Sequence, residues 1–448
     1  MKTVVITSFH PHISRNILST EAFRILVQNP KLRIVLAVPD YKVDFFTKEY
    51  ATNERISVFG IEPYQASRTL RGRFFKRLGV FLFDTQTARN RKKYEYYFHG
   101  KYIIYYFSRL LGIIGHSFIF RRLVRFLDLW CAPKTSASRM LSEIKPDMLF
   151  STDLQNENDV SIMHAARKGK IPILGMLRSW DNPTQRILRV LPEKMIVGSN
   201  VLEEEVRLLY RYPPAQIVIT GNPHYDRYLK GPTMSKDKFL KSLNLPLDKK
   251  LILYAPVSDA LIYHNDIDEY VLSLLGDVDA SVLVRFPPEK PVRLSGDFKQ
   301  PQNMVYDRPG VSFNARRVGD REIRREDDSR LIDSLYHADV VVTGPTSITI
   351  DAALIDRPVI AVHFYPTPRE FFRSVYRYED NQIVKVRETG GIHVSVTKED
   401  FLKTLASYLE NPRRDAKGRE KIRSMWFSHA DGSAGRRVAD AVLDFLTV

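Results

Sequence analysis

The sequence predicts an α/β protein of two parallel-sheet domains facing a cleft, with a basic, aromatic helical insert in the first. Three observations carry that reading. Short apolar runs recur along the chain, each followed by turn residues and a helix-periodic stretch, as βαβ units require. The rhythm stops between about residues 64 and 131. A run rich in Gly, Pro and Asn, Gly221 to Thr233, interrupts it again near the middle. The expected division is therefore 1–225 and 226–448, and 448 residues suffice for two cores.

In the first half, Val4 to Thr7 reads as a strand, Ile13 to Val27 as a helix and Arg33 to Val38 as a second strand. After the insert the pattern resumes. Strands are expected over Asp147 to Ser151, Ile171 to Met176, Lys194 to Val197 and Gln216 to Thr220, and helices over Glu157 to Lys168 and Asn200 to Leu209. In the second half, strands are expected over Leu251 to Ala255, Ser281 to Phe286, Val340 to Val342 and Pro358 to Val362. A helix is expected near Glu269 to Leu275. Residues 287–330, rich in Pro, Arg and Asp, read mostly as loop. Three helices close the chain, over Lys398 to Leu409, Pro412 to Trp426 and Ala434 to Leu446.

Composition narrows the class. A single cysteine, Cys131, excludes a disulfide framework and fits a reducing compartment. The N-terminus has no signal-peptide pattern, so a cytoplasmic location is expected. The net charge of +16 is concentrated. Between Arg68 and Arg125 fourteen basic residues face only Asp84 and Glu95. They are mixed with large aliphatic and aromatic residues and no nucleic-acid-binding motif is present, so an anionic membrane surface is the expected partner, not nucleic acid. Tyr102 to Phe120 is almost long enough to span a bilayer, but Arg109 sits mid-run, which favours a helix lying in the interface on the inner face of the cell membrane.

Candidate chemistry sits at strand ends. Val340 to Val342 runs into Thr343-Gly-Pro-Thr-Ser347, where Thr346 or Ser347 could cap a helix whose N-terminus would take a phosphate. Asp351 lies one turn on, within reach of a ribose hydroxyl. Ser258 and Arg285 end two neighbouring strands, and with Thr343 to Ser347 they could hold a nucleotide diphosphate. In the first half, Leu177 to Arg186 follows a strand. Asp181 there could act as a general base with Arg178, Trp180 or Asn182 orienting the acceptor, or could simply form a turn with Asn182 and Pro183. His10 and His12 follow strand one and are further base candidates. No metal-ligand spacing, Walker loop or dinucleotide fingerprint is present, so no metal and no cofactor is expected.

With those residues in view, the chain resembles the CDP-glycerol glycerophosphotransferase (teichoic-acid polymerase-like) group of the GT-B superfamily. The likeness is best over about 170–448. The family's T-D-Y-S-S, helix Asp and following "kPvI" are matched by Thr343 to Ser347, Asp351 and Arg357-Pro-Val-Ile360. Its "YAPTWR" is similar to Tyr254-Ala-Pro-Val-Ser258, its "DG-x-A-x-x-R" to Asp431-Gly-Ser-Ala-Gly-Arg436-Arg437, and its "WHGT" to Trp180-Asp-Asn-Pro-Thr184. Asp181 stands where the family has histidine, Gly344 where it has aspartate, and Phe286-Pro287-Pro288 where it has "HP". Trp180 to Asn182 together with Thr220 to Asp226 also resembles surface-polysaccharide glycosyltransferases and UDP-N-acetylglucosamine 2-epimerase relatives. The resemblance implies a GT-B-like fold of two Rossmann-like domains. It implies a peripheral membrane transferase moving a glycosyl or polyol-phosphate group from a CDP- or UDP-linked donor to a surface glycan or lipid-linked acceptor. An epimerase-type isomerase and a non-catalytic membrane-bound scaffold are the alternatives.

Overall fold

A computed structural model of the chain describes residues 1–262, 264–313, 320–370 and 373–447. It divides into two compact units, one of Met1–Asp226 with Ser428–Val448 and one of Arg227–Phe427.

The first unit is built on a seven-stranded, all-parallel sheet. Its strands are β1 (Lys2–Thr7), β2 (Leu32–Pro39), β3 (Ile56–Ile61), β4 (Met148–Ser151), β5 (Ile173–Met176), β6 (Lys194–Val197) and β7 (Ile217–Ile219). They lie in the order β3-β2-β1-β4-β5-β6-β7. β1 pairs Val4 with Ile34 on one side and with Met148 on the other. Both faces are covered, so β1, β2 and β4 are apolar almost throughout and their centres are fully buried. The order reverses between β1 and β4, and doubly wound sheets bind ligands at such a switch point, outside the carboxyl ends of the strands.

The second unit repeats the plan. β8 (Leu251–Ala255), β9 (Ser281–Arg285), β10 (Met304–Asp307), β13 (Val340–Thr343), β14 (Val359–Val362) and β15 (His393–Ser395) form a parallel sheet, and β11 (Val311–Ser312) and β12 (Arg321–Glu322) form a small antiparallel pair. The order is β10-β9-β8-β13-β14-β15, with its own switch point between β8 and β13.

Several elements differ from the sequence reading. The helix expected over Ile13 to Val27 is broken. It comprises Pro11–Ile13, a π-turn over Ser14–Leu18 and a helix over Glu21–Gln28. Buried Thr20 returns its hydroxyl to the Ile17 carbonyl at 2.7 Å, a local bond that competes with the helical ladder. The run Gly221 to Thr233 is no free linker. Pro223–Lys230 is a 3-10 helix that buries His224, Asp226 and Tyr228. The stretch 287–330 supplies β10, β11, β12 and the start of the helix Arg325–His337, while its residues 314–319 lie outside the described residues. The chain end also differs from a second domain reaching 448, because the helix Ala434–Phe445 joins the first unit. Its Val438, Ala439 and Val442 pack with Ala22, Phe23 and Leu26 of the Glu21–Gln28 helix. Gly435 permits that approach, since a Cβ there would stand 3.0 Å from the Ala22 nitrogen. The Asp431-to-Arg437 motif is part of this closure. Arg437 pairs with Asp431 and donates to the Thr220 carbonyl at 3.3 Å. Asp226 accepts the amides of Ala434 (3.1 Å) and Gly435 (2.7 Å), and burial raises its pKa.

Residues between β3 and β4 are helical: Leu70–Phe81, Gln86–Glu95, Tyr102–Ile114, Phe118–Trp130 and Ser136–Ile144. Part of the basic block is internal, although Arg68, Arg73, Lys76, Arg77, Lys93, Lys101 and Arg122 are exposed. Lys92 is fully buried, donates to the carbonyls of Phe81 (2.8 Å), Phe83 (2.6 Å) and Ser108 (3.3 Å), and is pushed down to about 8 by burial. Arg109 pairs with Asp84 at 2.8 Å and Arg71 with Asp128 at 2.7 Å. The helix Phe118–Trp130 is turned inside out, burying Arg121, Val124 and Asp128 while exposing Ile119, Leu123, Phe126 and Trp130. Among the described residues no single helix is long and apolar enough to cross a membrane. Tyr102–Ile114 and Phe118–Trp130 pass that test only as a pair, bent by 110° at 115–117.

Candidate functional site

In the first unit, the carboxyl ends of β1, β4 and β5 carry a polar constellation. Thr7 ends β1, and His10 and His12 follow it, half-buried, with ring centroids 4.9 Å apart. The His12 amide donates to His10 Nδ1 at 3.2 Å. After β4 comes Asp153, buried, whose Oδ1 accepts the amides of Gln155 (2.9 Å) and Asn156 (3.2 Å). After β5 comes Arg178, whose Nε donates to Asp153 Oδ2 at 2.6 Å. Beneath them lies Asp159, taking the hydroxyls of Thr7 (2.5 Å) and Ser151 (3.1 Å). Burial pushes both carboxyls up. At Asp153 the charges of Arg178 and His10 and the backbone bonds outweigh burial and hold it below the usual range, whereas at Asp159 the neighbouring Asp153 charge adds to burial. The surroundings thus drive the two carboxyls apart, Asp153 toward its ionised form and Asp159 toward its protonated form, a separation expected where environment assigns acid and base roles.

The expected residues around Asp181 divide. Asp181 precedes the helical turn Asn182–Gln185, and its Oδ2 accepts from the Gln185 side-chain amide at 2.6 Å instead of capping its own backbone. Asn182 is buried, its Oδ1 taking the Ser179 amide at 2.8 Å and its Nδ2 donating to Gln155 Oε1 at 3.4 Å, so it shapes the turn. Trp180 and Asp181 are half-buried. Sequence reasoning missed Asp153 and Asp159. The available signal was a Thr-Asp step directly after the strand Met148–Ser151, which puts Asp153 at the same distance past its strand as Arg178 is past Ile173–Met176.

In the second unit, Ser258 and the loop Thr343 to Ser347 follow the two strands flanking the switch point. Asp268, fully buried, fixes the first loop by accepting from Tyr254 Oη (2.6 Å), the Val257 and Ser258 amides (2.7 and 3.1 Å) and Asn265 Nδ2 (2.6 Å). Burial still raises its pKa. Ser258 is held at φ +76°, uncommon for a residue with a Cβ, and its buried hydroxyl has no hydrogen-bond partner. Opposite stands Gly344, where a Cβ would come within 2.9 Å of Val257 Cγ2. Thr343 and Thr346 join their hydroxyls at 3.0 Å. The expected side-chain cap is absent: the Ser347 hydroxyl is exposed and makes no cap bond at the helix Ile348–Leu354, because Ser347 already has helical φ and ψ (−68°, −20°). Asp351 is buried in that helix's first turn. Arg285 is engaged within the protein, pairing with Asp307 and donating to the Asp327 carbonyl at 2.6 Å.

The model for CDP-glycerol:poly(glycerophosphate) glycerophosphotransferases matches residues 175–444, which is 270 of the 448 positions and includes Arg178 to Asn182, Ser258, Arg285 and Thr343 to Asp351. The chain belongs to this family. It is a transferase of the CDP-glycerol glycerophosphotransferase type, using a nucleotide-activated donor, on a GT-B-like fold. No curated protein matches it. Among solved structures it is similar to a protein assigned as a UDP-N-acetylglucosamine 2-epimerase from Listeria monocytogenes (13% identity, 100% of this chain and 97% of that one, TM-score 0.57). It is similar to the UDP-N-acetylglucosamine 2-epimerase of Neisseria meningitidis bound to UDP-GlcNAc (12%, 99% and 100%, 0.55). It is also similar to the wall teichoic acid polymerase TagF (13%, 99% and 89%, 0.51). At such identities these likenesses speak for the fold.

Proposed function

We propose that this chain transfers a glycerophosphate-type or glycosyl group from a CDP- or UDP-linked donor to a glycan or lipid-linked acceptor at the inner face of a membrane. The observation that carries the reading is the second unit's switch point. A buried, unpaired Ser258 hydroxyl, a close-packed Gly344 and the exposed Ser347 at a helix start lie on its two flanking strands. Thr343, Thr346, Ser347 and Ser258 hold the diphosphate, and Asp351 holds the ribose. Arg285, already committed to Asp307, maintains the adjoining strand ends and the local positive potential.

The first unit supplies the acceptor side. Asp181, with His10 or His12, takes the acceptor proton, and Arg178 is oriented for an anionic group by Asp153. The leaving nucleotide's charge is met by hydroxyls, backbone amides and the helix start. Membrane attachment is supported by the apolar faces of Tyr102–Ile114 and Phe118–Trp130, with Ile103 88%, Ile119 80% and Trp130 72% exposed, and by exposed Arg73, Lys76, Arg77 and Arg122 nearby.

The test is a thermal-shift series with CDP, UDP, GDP, dTDP and CMP. A ligand at 100 times its Kd stabilises the native state by about 2.7 kcal/mol, a readable shift. One nucleotide winning names the donor class. No shift with any of them removes the phosphate site at Thr346 and Ser347. Asp181→Asn then separates transfer from scaffolding: a transferase loses turnover and keeps nucleotide affinity.

A further inference from the structure

At the foot of the bent helix pair is a pocket of about 150 Å³, lined among others by Phe83, Asp84, His116, Arg121, Leu208 and Arg211. Four arginines are buried among the described residues: Arg121, Arg189, Arg285 and Arg419. Arg189 faces Asp128 and Glu157, Arg285 faces Asp307, and Arg419 faces Asp356. Arg121 faces no carboxylate. It is 9% exposed, stacks 5.3 Å from the centroid of Phe83 and makes one hydrogen bond, from Nη1 to the Leu209 carbonyl at 2.6 Å, while its Nε is buried without a partner. One turn on, Arg125 donates to the Leu188 carbonyl at 2.8 Å and also lacks an acid, so it adds a second positive charge instead of compensating the first. The acid of the pocket, Asp84, is already shared by Arg109 (2.8 Å), Arg89 (3.5 Å) and His116 (3.7 Å). A buried cation left without a counter-charge is costly to a fold, and it is retained most readily where an anion arrives from outside.

The surroundings indicate how the anion arrives. His116 stands at the elbow between the two helices, flanked by Ile113 (64% exposed) and Ile119 (80%), and Leu208, also in the lining, is 63% exposed. Arg121, Arg211 and His116 line the pocket beside the exposed apolar faces of the helix pair, and cationic groups next to apolar surface are what an anionic lipid headgroup meets at a membrane interface. We infer that this pocket receives the phosphate of an anionic membrane lipid, with Arg121 as its buried ligand and His116 and Arg211 at its mouth. The inference rests on the membrane-surface reading and gives it a specific contact: the exposed helix pair sets the depth, and the pocket selects the headgroup.

The experiment is flotation of the full chain with phosphatidylcholine vesicles and with vesicles also containing phosphatidylglycerol, comparing wild type, Arg121→Met and Arg122→Gln. Arg122 is exposed on the same helix and reports diffuse surface charge. Arg121→Met is expected to lose about tenfold in affinity for the anionic vesicles, the scale of one charge-assisted hydrogen bond, while its affinity for neutral vesicles and its melting temperature without lipid are kept or raised. Binding of wild type and Arg121→Met to anionic vesicles with equal affinity overturns the pocket and leaves the membrane reading standing. Failure of wild type to bind either vesicle overturns both. A large fall in melting temperature for Arg121→Met shows a structural arginine and overturns the assignment. A second arm adds inorganic phosphate and a short-chain, water-soluble phosphatidylglycerol to the protein in a thermal-shift assay. Stabilisation by the lipid alone, lost in Arg121→Met, is expected. Equal stabilisation by inorganic phosphate overturns the lipid as source.

Discussion

Replacing Asp128 by asparagine tests how the exposed helix pair is held. Asp128 is 1% exposed and turned inward from the helix Phe118–Trp130. It receives Arg189 through two bonds (Nε to Oδ2, 2.7 Å; Nη2 to Oδ1, 2.9 Å) and Arg71 at 2.7 Å, with His164 Nε2 3.5 Å away. Asparagine keeps the shape but removes the charge and turns an N–H toward a guanidinium. Taking one partner from a buried pair costs about 3–5 kcal/mol. Arg189 retains Glu157 at 2.6 Å and Arg71 is partly solvated, which sets the expectation at the lower end, about 3 kcal/mol. The first unit, Met1–Asp226 with Ser428–Val448, is of a size for which about 2–4 °C per kcal/mol applies, so its transition should fall by about 6–12 °C. Calorimetry reads this directly, and hydrogen exchange should show the amides of Phe118–Trp130 losing protection first. The double change Asp128→Leu with Arg189→Met should recover part of the loss, because the two most buried charges leave together, while Glu157 keeps Arg186 at 3.8 Å and Arg71 turns to solvent. A loss below about 1 kcal/mol for Asp128→Asn, or no recovery in the pair, refutes the account.

Other outcomes follow from the same contacts. Burial lowers His164 to about 4 from its ordinary 6.5, against the pull of Asp128, so the folded state resists a proton that the unfolded chain takes. Stability is therefore full above pH 6.5 and falls as pH drops through 4, by about 3 kcal/mol, and His164→Leu should flatten that slope relative to wild type in acid denaturation. Gly344→Val should drive its side chain into Val257 and cost about 1–3 kcal/mol of stability together with nucleotide affinity; unchanged nucleotide binding by calorimetry would remove the loop from the donor site. Asp153→Asn should free Arg178 and lower kcat about 10²-fold with nucleotide binding unchanged, and Asp153→Glu should restore part of it; a matched fall in both would make Asp153 purely structural.

By itself the sequence determined the α/β class, most strands and the positions of Ser258, Arg285 and Thr343 to Ser347 at strand ends. Parallel strands buried on both faces must be short apolar runs, and the turn residues after them are local, so both are visible along the chain. Similarity in those same turns also pointed to the glycerophosphotransferase family. The tertiary structure decided what depends on distant partners. β10 (Met-Val-Tyr-Asp) and β15 (His-Val-Ser) are edge strands that are mostly half-buried, so they lack the continuous apolar run that marks the central strands. The return of Ala434–Phe445 to the first unit depends on Asp226 meeting two amides more than two hundred residues away. Arg285 looked like a ligand until Asp307, on the neighbouring strand, took its charge. The pKa values of Asp153 and Asp159 are shifted in opposite directions by the groups gathered around each carboxyl. Whether Lys92 and Arg121 face water or carbonyls likewise depends on helix packing, since a charge run shows how many cations a segment carries and not which of them the fold buries.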